Sequence, residues 1–217
     1  MKISYAITAC NEAVELERLL SFLKDNIREE DEVIIQLDVT HTPEVLEVCN
    51  LYTNFNHDGN TTSKEILNSK FYTFPLDNNF GRFKDYLAKN ATGDFIFQID
   101  ADEIPQLTLI QNLPNILESN PDNEIYLVPR INTVEGLTPA HVREWGWNVD
   151  FNGYVNFPDY QWRIYKNISY INWVNKVHER LEGFKAYALL PAEPEYCLLH
   201  HKSIEKQEKQ NQFYNKL

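Results

Sequence analysis

Residues 93–103 read Gly93-Asp94-Phe95-Ile96-Phe97-Gln98-Ile99-Asp100-Ala101-Asp102-Glu103. A glycine and an aspartate lead into an apolar run that ends in two aspartates one residue apart. A short, nearly continuous apolar run of this kind is the pattern of a strand buried on both faces. In extended backbone, residues i and i+2 project to the same side. Asp100 and Asp102 therefore present their carboxylates together where the strand ends. Two like charges held side by side repel unless a cation sits between them. A hard divalent ion with oxygen ligands, Mn2+ or Mg2+, meets that need, with phosphate oxygens completing its shell.

Upstream of this stretch, strands and helices alternate. Ile3 to Ala9 is apolar and strand-like, and Leu16, Leu19, Leu20, Leu23 and Ile27 then recur at helical spacing. Glu32 to Leu37 reads as a buried strand. Thr42-Pro43 reads as an N-cap followed by proline at the first helical position, opening a helix to about Tyr52. Phe71 to Phe74 is a third strand, and Arg82 to Asn90 a short helix ended near Gly93. Downstream, Leu107 to Leu117 is helical and Glu124 to Pro129 strand-like. This alternation predicts an α/β fold with a mostly parallel central sheet and helices on both faces. Ligands of such sheets bind beyond the carboxyl ends of the strands. Asn11 and Glu12, Asp38, and Asp100 with Asp102 each follow one of these strands.

After about Pro129 the alternation weakens. All four tryptophans, Trp145, Trp147, Trp162 and Trp173, fall here. The tail from Ser203 to Leu217 reads as a polar helix with Ser203 as its cap, and 54–69 as the longest loop. With 217 residues and no linker or repeat, one domain is expected, 1–217. Its first part, 1–103, holds the strand-end acidic residues, and 104–217 the aromatic ones.

The formal net charge is −12. Nucleic-acid binding, which needs a basic face, is excluded as a general role. Diffuse charge is screened over roughly 8 Å at physiological salt, whereas unit charges about 4 Å apart interact by about 4 kcal/mol at an effective dielectric near 20. A local metal thus outweighs the acidic background. Cys10, Cys49 and Cys197 form no C-x-x-C pair, and three reduced thiols in a cytoplasmic protein are expected. No apolar run reaches the roughly 20 residues of a transmembrane segment, and no signal-peptide pattern is read at Met1 to Tyr5. Only seven glycines are present, with no P-loop and no G-x-G-x-x-G, and Asp100-Ala101-Asp102 lacks the later residues of an EF-hand.

The segments ending in Asn11-Glu12, Leu37-Asp38-Val39-Thr40 and Asp100-Ala101-Asp102-Glu103, with Val177-His178-Glu179 further on, resemble family 2 glycosyltransferases of the GT-A (Rossmann-like) fold. The segments Asp159-Tyr160-Gln161-Trp162-Arg163 and Val177-His178-Glu179 are similar to the lipopolysaccharide-core glucosyltransferase subgroup. Where that pattern has Arg-Asn before the metal motif, this chain has Lys84-Asp85.

The resemblance implies transfer of a sugar from a nucleotide-sugar donor, a UDP-sugar such as UDP-glucose, to a saccharide or other hydroxyl acceptor with inversion. Residues 1–103 would bind the donor through Asn11, Glu12, Asp38, Lys84 and Asp100, joined by Arg163 from the second half. Asp102 would hold the metal directly, with Asp100 beside it and His200, rather than His201, as third ligand. A carboxylate suits the general base, which accepts the acceptor hydroxyl's proton. Glu179 is the first choice, with Asp159 and Glu144 in reserve. Trp145, Trp147, Tyr154, Tyr160 and Trp162 would line an acceptor cleft, since sugar rings have apolar faces that pack on aromatics. The alternatives are a non-catalytic carbohydrate- or nucleotide-binding protein on the same fold and a nucleotidyltransferase. The latter wants a glycine-rich basic loop near the first strand, which Ala9-Cys10-Asn11-Glu12-Ala13 does not supply.

Overall fold

The computed structural model describes residues 1–53, 66 and 68–214. The loop expected over 54–69 and the last three residues of the tail fall largely outside them. The chain opens with β1 (Ile3–Ala9), α1 (Ala13–Asn26), β2 (Glu32–Asp38), α2 (Pro43–Tyr52), β3 (Ser69–Phe74), α3 (Phe80–Ala88) and β4 (Phe95–Asp100). It continues through β5 (Glu103–Pro105), α4 (Leu107–Ser119), β6 (Ile125–Glu135), α5 (Pro139–Trp145) and β7 (Val155–Lys166). The short strands β8 (Asn172–Val174), β9 (Arg180–Glu182) and β10 (Tyr187–Leu189) precede β11 (Leu198–Ser203) and α6 (Ile204–Tyr214).

The main sheet runs β3-β2-β1-β4-β7-β6-β11-β5, with β10 beside β6, while β8 and β9 form a separate pair. The first four strands are parallel. β7 enters antiparallel between β4 and β6, and β11 then runs parallel to β6. The sheet is therefore mixed, and mostly parallel among its described pairings. Glu124 to Pro129, read as strand-like, is the first part of β6, but the loss of alternation after Pro129 hides the rest of that strand and all of β7, because an antiparallel insertion needs no crossover helix.

Period-two burial sorts the helices onto two faces. Ile3, Tyr5 and Ile7, Val33 and Ile35, and Phe95, Phe97 and Ile99 cluster with α1, α2 and α4 through Leu16, Leu20, Val45 and Leu109. The intervening Ala6, Ile34 and Ile96 cluster with Leu87 of α3 and with Trp173 and Ile171. The helical spacing read in α1 is the spacing of its buried side chains, Leu16, Leu19, Leu20 and Leu23. No described helix is long and apolar enough to cross a membrane, and Cys10, Cys49 and Cys197 are free thiols.

Local details differ from the sequence reading. Thr42 occupies the N-cap of α2, with Pro43 at its start, but its side chain makes no capping bond. Its backbone N–H instead donates to the Cys10 carbonyl at 3.0 Å, tying α2 to the end of β1. α3 starts two residues earlier than expected, at Phe80, because the Asn79 side chain accepts from the Arg82 N–H. It ends at Ala88, so Gly93 is not its stop. Gly93 lies against β1: a Cβ there would come within 2.7 Å of both the Ser4 nitrogen and the Ser4 Oγ. Its N–H donates to that Oγ at 2.8 Å, and Ser4 donates in turn to the buried Glu32 at 2.5 Å.

Gly93→Ala should therefore push β1 and β4 apart at their entry. We expect a loss of about 1–3 kcal/mol, the ordinary cost of overpacking, read as a lower urea midpoint with an unchanged m-value.

Candidate functional site

The end of β1 at Ala9, of β2 at Asp38 and of β4 at Asp100 all lie on one side of the sheet, because these strands are parallel. Two antiparallel steps, β4 to β7 and β7 to β6, restore the direction, so the later halves of β6 and β11 end on that side too. A cleft of about 800 Å3 opens there. Thr8 to Glu12, Asp38, Lys84, Asp100 to Asp102, Arg130, Asp159, Arg163, Glu179 and His200 line it.

A lattice of alternating charges forms its floor. Asp100 Oδ1 accepts from Thr8 at 3.0 Å and pairs with Lys84 at 3.2 Å, while Oδ2 accepts from Arg163 at 2.7 Å. The same Arg163 Nη2 donates to Glu103 Oε1 at 2.6 Å. Glu103 has no exposed surface and also accepts from Arg130 at 2.8 Å. Arg130 passes on to Asp159, whose Oδ2 accepts from it at 2.7 and 3.0 Å and from Asn132 at 2.8 Å. Gln161 fills the other Asp159 oxygen at 2.6 Å. Burial works to raise Asp100 and Asp159, but these cations and donors outweigh it and hold both carboxyls below their ordinary range. Burial also opposes the charge on Arg163, yet Asp100 and Glu103 hold it firmly protonated.

Asp102 looks the other way, toward β11 and α6. His200 Nε2 lies 3.4 Å from its Oδ2, Lys206 Nζ 3.3 Å and Lys202 Nζ 4.0 Å. Burial works to raise Asp102, and these three groups together overcome it and hold the carboxyl well below its ordinary value. Asn132 fixes the histidine. Its amide nitrogen donates to Asp159, so its oxygen must accept, and His200 Nδ1 at 2.6 Å must donate. The Nε2 lone pair then points at a carboxylate oxygen. Burial pushes His200 below its ordinary pKa despite the pull of Asp102, which keeps that ring neutral at pH 7. Two facing acceptor atoms, one imidazole and one carboxylate, fit a divalent cation. No group of three or more acidic, histidine or cysteine side chains suited to a metal occurs among the described residues. Mn2+ and Mg2+ take few protein ligands and complete their shells with water and phosphate.

The structure therefore separates the two aspartates. Asp102 and His200 would hold a metal, while both oxygens of Asp100, expected as a second ligand, are committed to Thr8, Lys84 and Arg163. The part-turn at Ala101-Asp102 breaks the extended geometry that placed the two on one side. Asp38 lines the cleft, its oxygens accepting from the Leu76 N–H at 3.0 Å and Thr40 at 2.6 Å. Asn11 is exposed at the rim, whereas Glu12 turns back to accept from the Cys10 and Asn11 N–H groups at 2.8 and 3.0 Å. Lys84 and Arg163, expected to meet the donor, are 2% and 3% exposed and bound to carboxylates. Glu144 is exposed on α5 and does not line the cleft, and His201 is exposed beside Glu135. Of the expected aromatics, Trp147 and Trp162 line the cleft. Trp145 stacks on His141, Tyr154 packs on Phe157, and the Tyr160 hydroxyl donates to the Leu190 carbonyl at 3.0 Å.

Four site residues escaped the sequence reading: Glu103, Arg130, Lys202 and Lys206. Arg130 carried a usable signal, a lone cation inside the apolar strand Ile125 to Ile131. A charge in such a place needs a buried partner.

A parallel half-sheet whose strand ends open on an acidic motif, backed by an antiparallel extension carrying the second half of the cleft, is the architecture of the GT-A glycosyltransferases. The chain belongs to glycosyl transferase family 2, whose family model matches residues 4–188. Solved structures of S. aureus TarS share the fold. TarS 1-349 matches with a TM-score of 0.60 at 16% identity over 93% of this chain and 60% of that one. Its complex with UDP-GlcNAc matches with a TM-score of 0.62 at 17% identity over 93% and 59%. Its complex with UDP matches at 0.58 and 17% over 96% and 63%. The chain thus spans about three fifths of the length of these TarS structures.

Two outcomes follow from the lattice. Glu103→Ala removes the carboxylate that Arg163 and Arg130 share and leaves each with one acidic partner, and we expect it to cost about 3–5 kcal/mol in chemical denaturation at pH 7. Asp159 has a depressed native pKa, so the stability it contributes is present above the ordinary carboxylate value near 4 and drains away as the pH falls through and below it. Asp159→Asn should flatten the acid limb of a plot of stability against pH.

Proposed function

We propose that this chain is a metal-dependent, inverting glycosyltransferase that takes a UDP-sugar as donor and a saccharide hydroxyl as acceptor. The observation that carries this reading is the facing pair Asp102 Oδ2 and His200 Nε2 at the mouth of the cleft, arranged for a cation that a diphosphate would complete. The UDP-GlcNAc and UDP complexes of TarS, on the same fold, support uridine as the base and a hexose such as glucose or N-acetylglucosamine as the sugar. The division at about residue 103 follows the cleft: Thr8 to Glu12 and Asp38 face the nucleoside, while Trp147, Trp162 and Glu179 face the acceptor.

When bound, Mn2+ or Mg2+ would supply Lewis acidity to the diphosphate leaving group. The chain's own residues do the rest. Lys206 and Lys202, already gathered at Asp102, add positive charge beside the same phosphates. Glu179 is the base. The reserve candidate Asp159 has both oxygens filled by Arg130, Asn132 and Gln161. Glu179 Oε1 is held by Lys84, and Oε2 has no partner among the described residues. It can take the proton of an acceptor hydroxyl as the new C–O bond forms at the anomeric carbon. The old bond to the diphosphate breaks, and its electron pair leaves with the nucleotide.

Thermal unfolding with UDP, with and without Mn2+, tests the donor site. We expect a Mn2+-dependent rise in the midpoint, corresponding to about 2.7 kcal/mol at a ligand concentration roughly 100 times Kd, and its loss in Asp102→Ala. Absence of any nucleotide shift would overturn the reading. Glu179→Gln should keep the shift and lose turnover by about 10²–10⁴-fold.

A further inference from the structure

Lys84 is among the most deeply buried side chains of the protein, yet it carries a charge and sits beside the cleft. Its ammonium donates to Glu179 Oε1 at 2.6 Å, pairs with Asp100 Oδ1 at 3.2 Å and lies 5.0 Å from the centre of the Trp173 ring. A buried ammonium needs this much compensation. Its neighbour Asp85 accepts from the Trp173 backbone N–H at 2.7 Å. Adjacent residues of α3 thus grip both ends of the segment Trp173–Glu179. The first turn of the helix grips the middle, as the Phe80 and Gly81 N–H groups donate to the Lys176 and Asn175 carbonyls at 2.9 and 3.2 Å. Gly81 permits this approach, since a Cβ there would lie 2.6 Å from the Asn175 oxygen.

The start of the segment is also held by the core: Trp173 and Val174 pair with Leu181 and Arg180 of β9, and the Trp173 indole donates to the Tyr165 hydroxyl at 3.1 Å. Asn175 and His178 both adopt positive φ, 74° and 51°, in the turn that delivers Glu179. Residues 175–179 lie between the short strands β8 and β9 and belong to neither. Within that turn, α3 contacts Asn175, Lys176 and Glu179.

From these contacts we infer that Lys84 is the positioning residue for the base: it fixes the Glu179 carboxylate through Oε1 and turns Oε2 to the cleft. The inference rests on Glu179 being the base. Lys84 and Asp85, which replace the Arg-Asn of the resembled pattern, together dock the base-bearing segment onto α3. The donor's phosphates play no part in that docking. The charged groups facing Glu179 are Lys84 from α3 and Arg163 from β7, with Asp100 of β4 behind both. Arg163 is shared between Asp100 and Glu103, so Lys84 is the only cation in direct contact with Glu179 among the described residues.

The test is kcat and donor KM of transfer for Lys84→Met, Lys84→Arg and Glu179→Gln, with UDP binding measured on each. For Lys84→Met we expect kcat to fall by roughly 10- to 100-fold, with donor KM changed less than about threefold. Lys84→Arg, which keeps a cation against Oε1, should recover most of the lost kcat. In the Glu179→Gln background, Lys84→Met should cost nothing further. If Lys84→Met instead weakens UDP binding, or lowers activity as much in the Glu179→Gln background as in the parent, the positioning role is overturned while the base survives. Full activity in Glu179→Gln would overturn the base itself, and the inference with it.

Discussion

Glu103, itself without exposed surface, holds two guanidinium groups at the floor of the cleft. Arg163 comes from β7, Arg130 from β6, and Glu103 from the start of β5 just beyond β4. Break that carboxylate out and three elements lose their common anchor, and the charges on either side lose their balance. Through Arg163 the anchor extends to Asp100 and Lys84, and through Arg130 to Asp159, Asn132 and His200. The polar groups of the cleft floor are each oriented by a neighbour whose own orientation leads back to this buried ion cluster. Buried ion pairs are weak evidence for stability, since apolar replacements are often neutral or better. What this one supplies is fixed geometry.

The lattice also answers the puzzle of an acidic chain that would bind a phosphate ester. Lys84, Arg130, Arg163, Lys202 and Lys206 interleave with Asp100, Asp102, Glu103, Asp159 and Glu179, so these carboxylates are individually paired, while Glu12 and Asp38 add further acidic groups to the lining. Most of the net −12 is carried elsewhere on the chain, where screening weakens its reach into the cleft.

The half of the fold that follows local rules was readable from the sequence. Apolar runs at Ile3 to Ala9, Glu32 to Leu37 and Phe95 to Ile99 declare buried strands, and the leucines of α1 declare its inner face. Their shared direction brings Asp38, Asp100 and Asp102 to one end of the sheet. What failed was anything decided by contacts distant in sequence. Asp100 and Asp102 look like twins in the chain, but one meets Lys84 and Arg163, the other His200 and Lys206, and no spacing rule encodes that split. Lys206 read as the polar surface of a terminal helix, and Lys202 drew no reading, because their partner lies about a hundred residues away. β7 went unrecognised because its mixed aromatic and polar residues serve the cleft on one stretch and the core on another. Gly93 was read as a helix stop by a rule that fits its position, whereas its real constraint is the backbone of β1.

Lys206 spans from Asp102 to Glu15 of α1, at 3.3 and 3.2 Å. The first helix, the acidic motif in mid-chain and the last described helix thus meet at one ammonium group. During synthesis the N-terminal strands and helices emerge long before β11 and α6 do. Until those elements arrive, Asp102 stands without His200, Lys202 or Lys206. The compensation of its charge therefore depends on the docking of β11 and α6, and a ribosome-bound intermediate lacking them would carry a more acidic face at this end of the sheet.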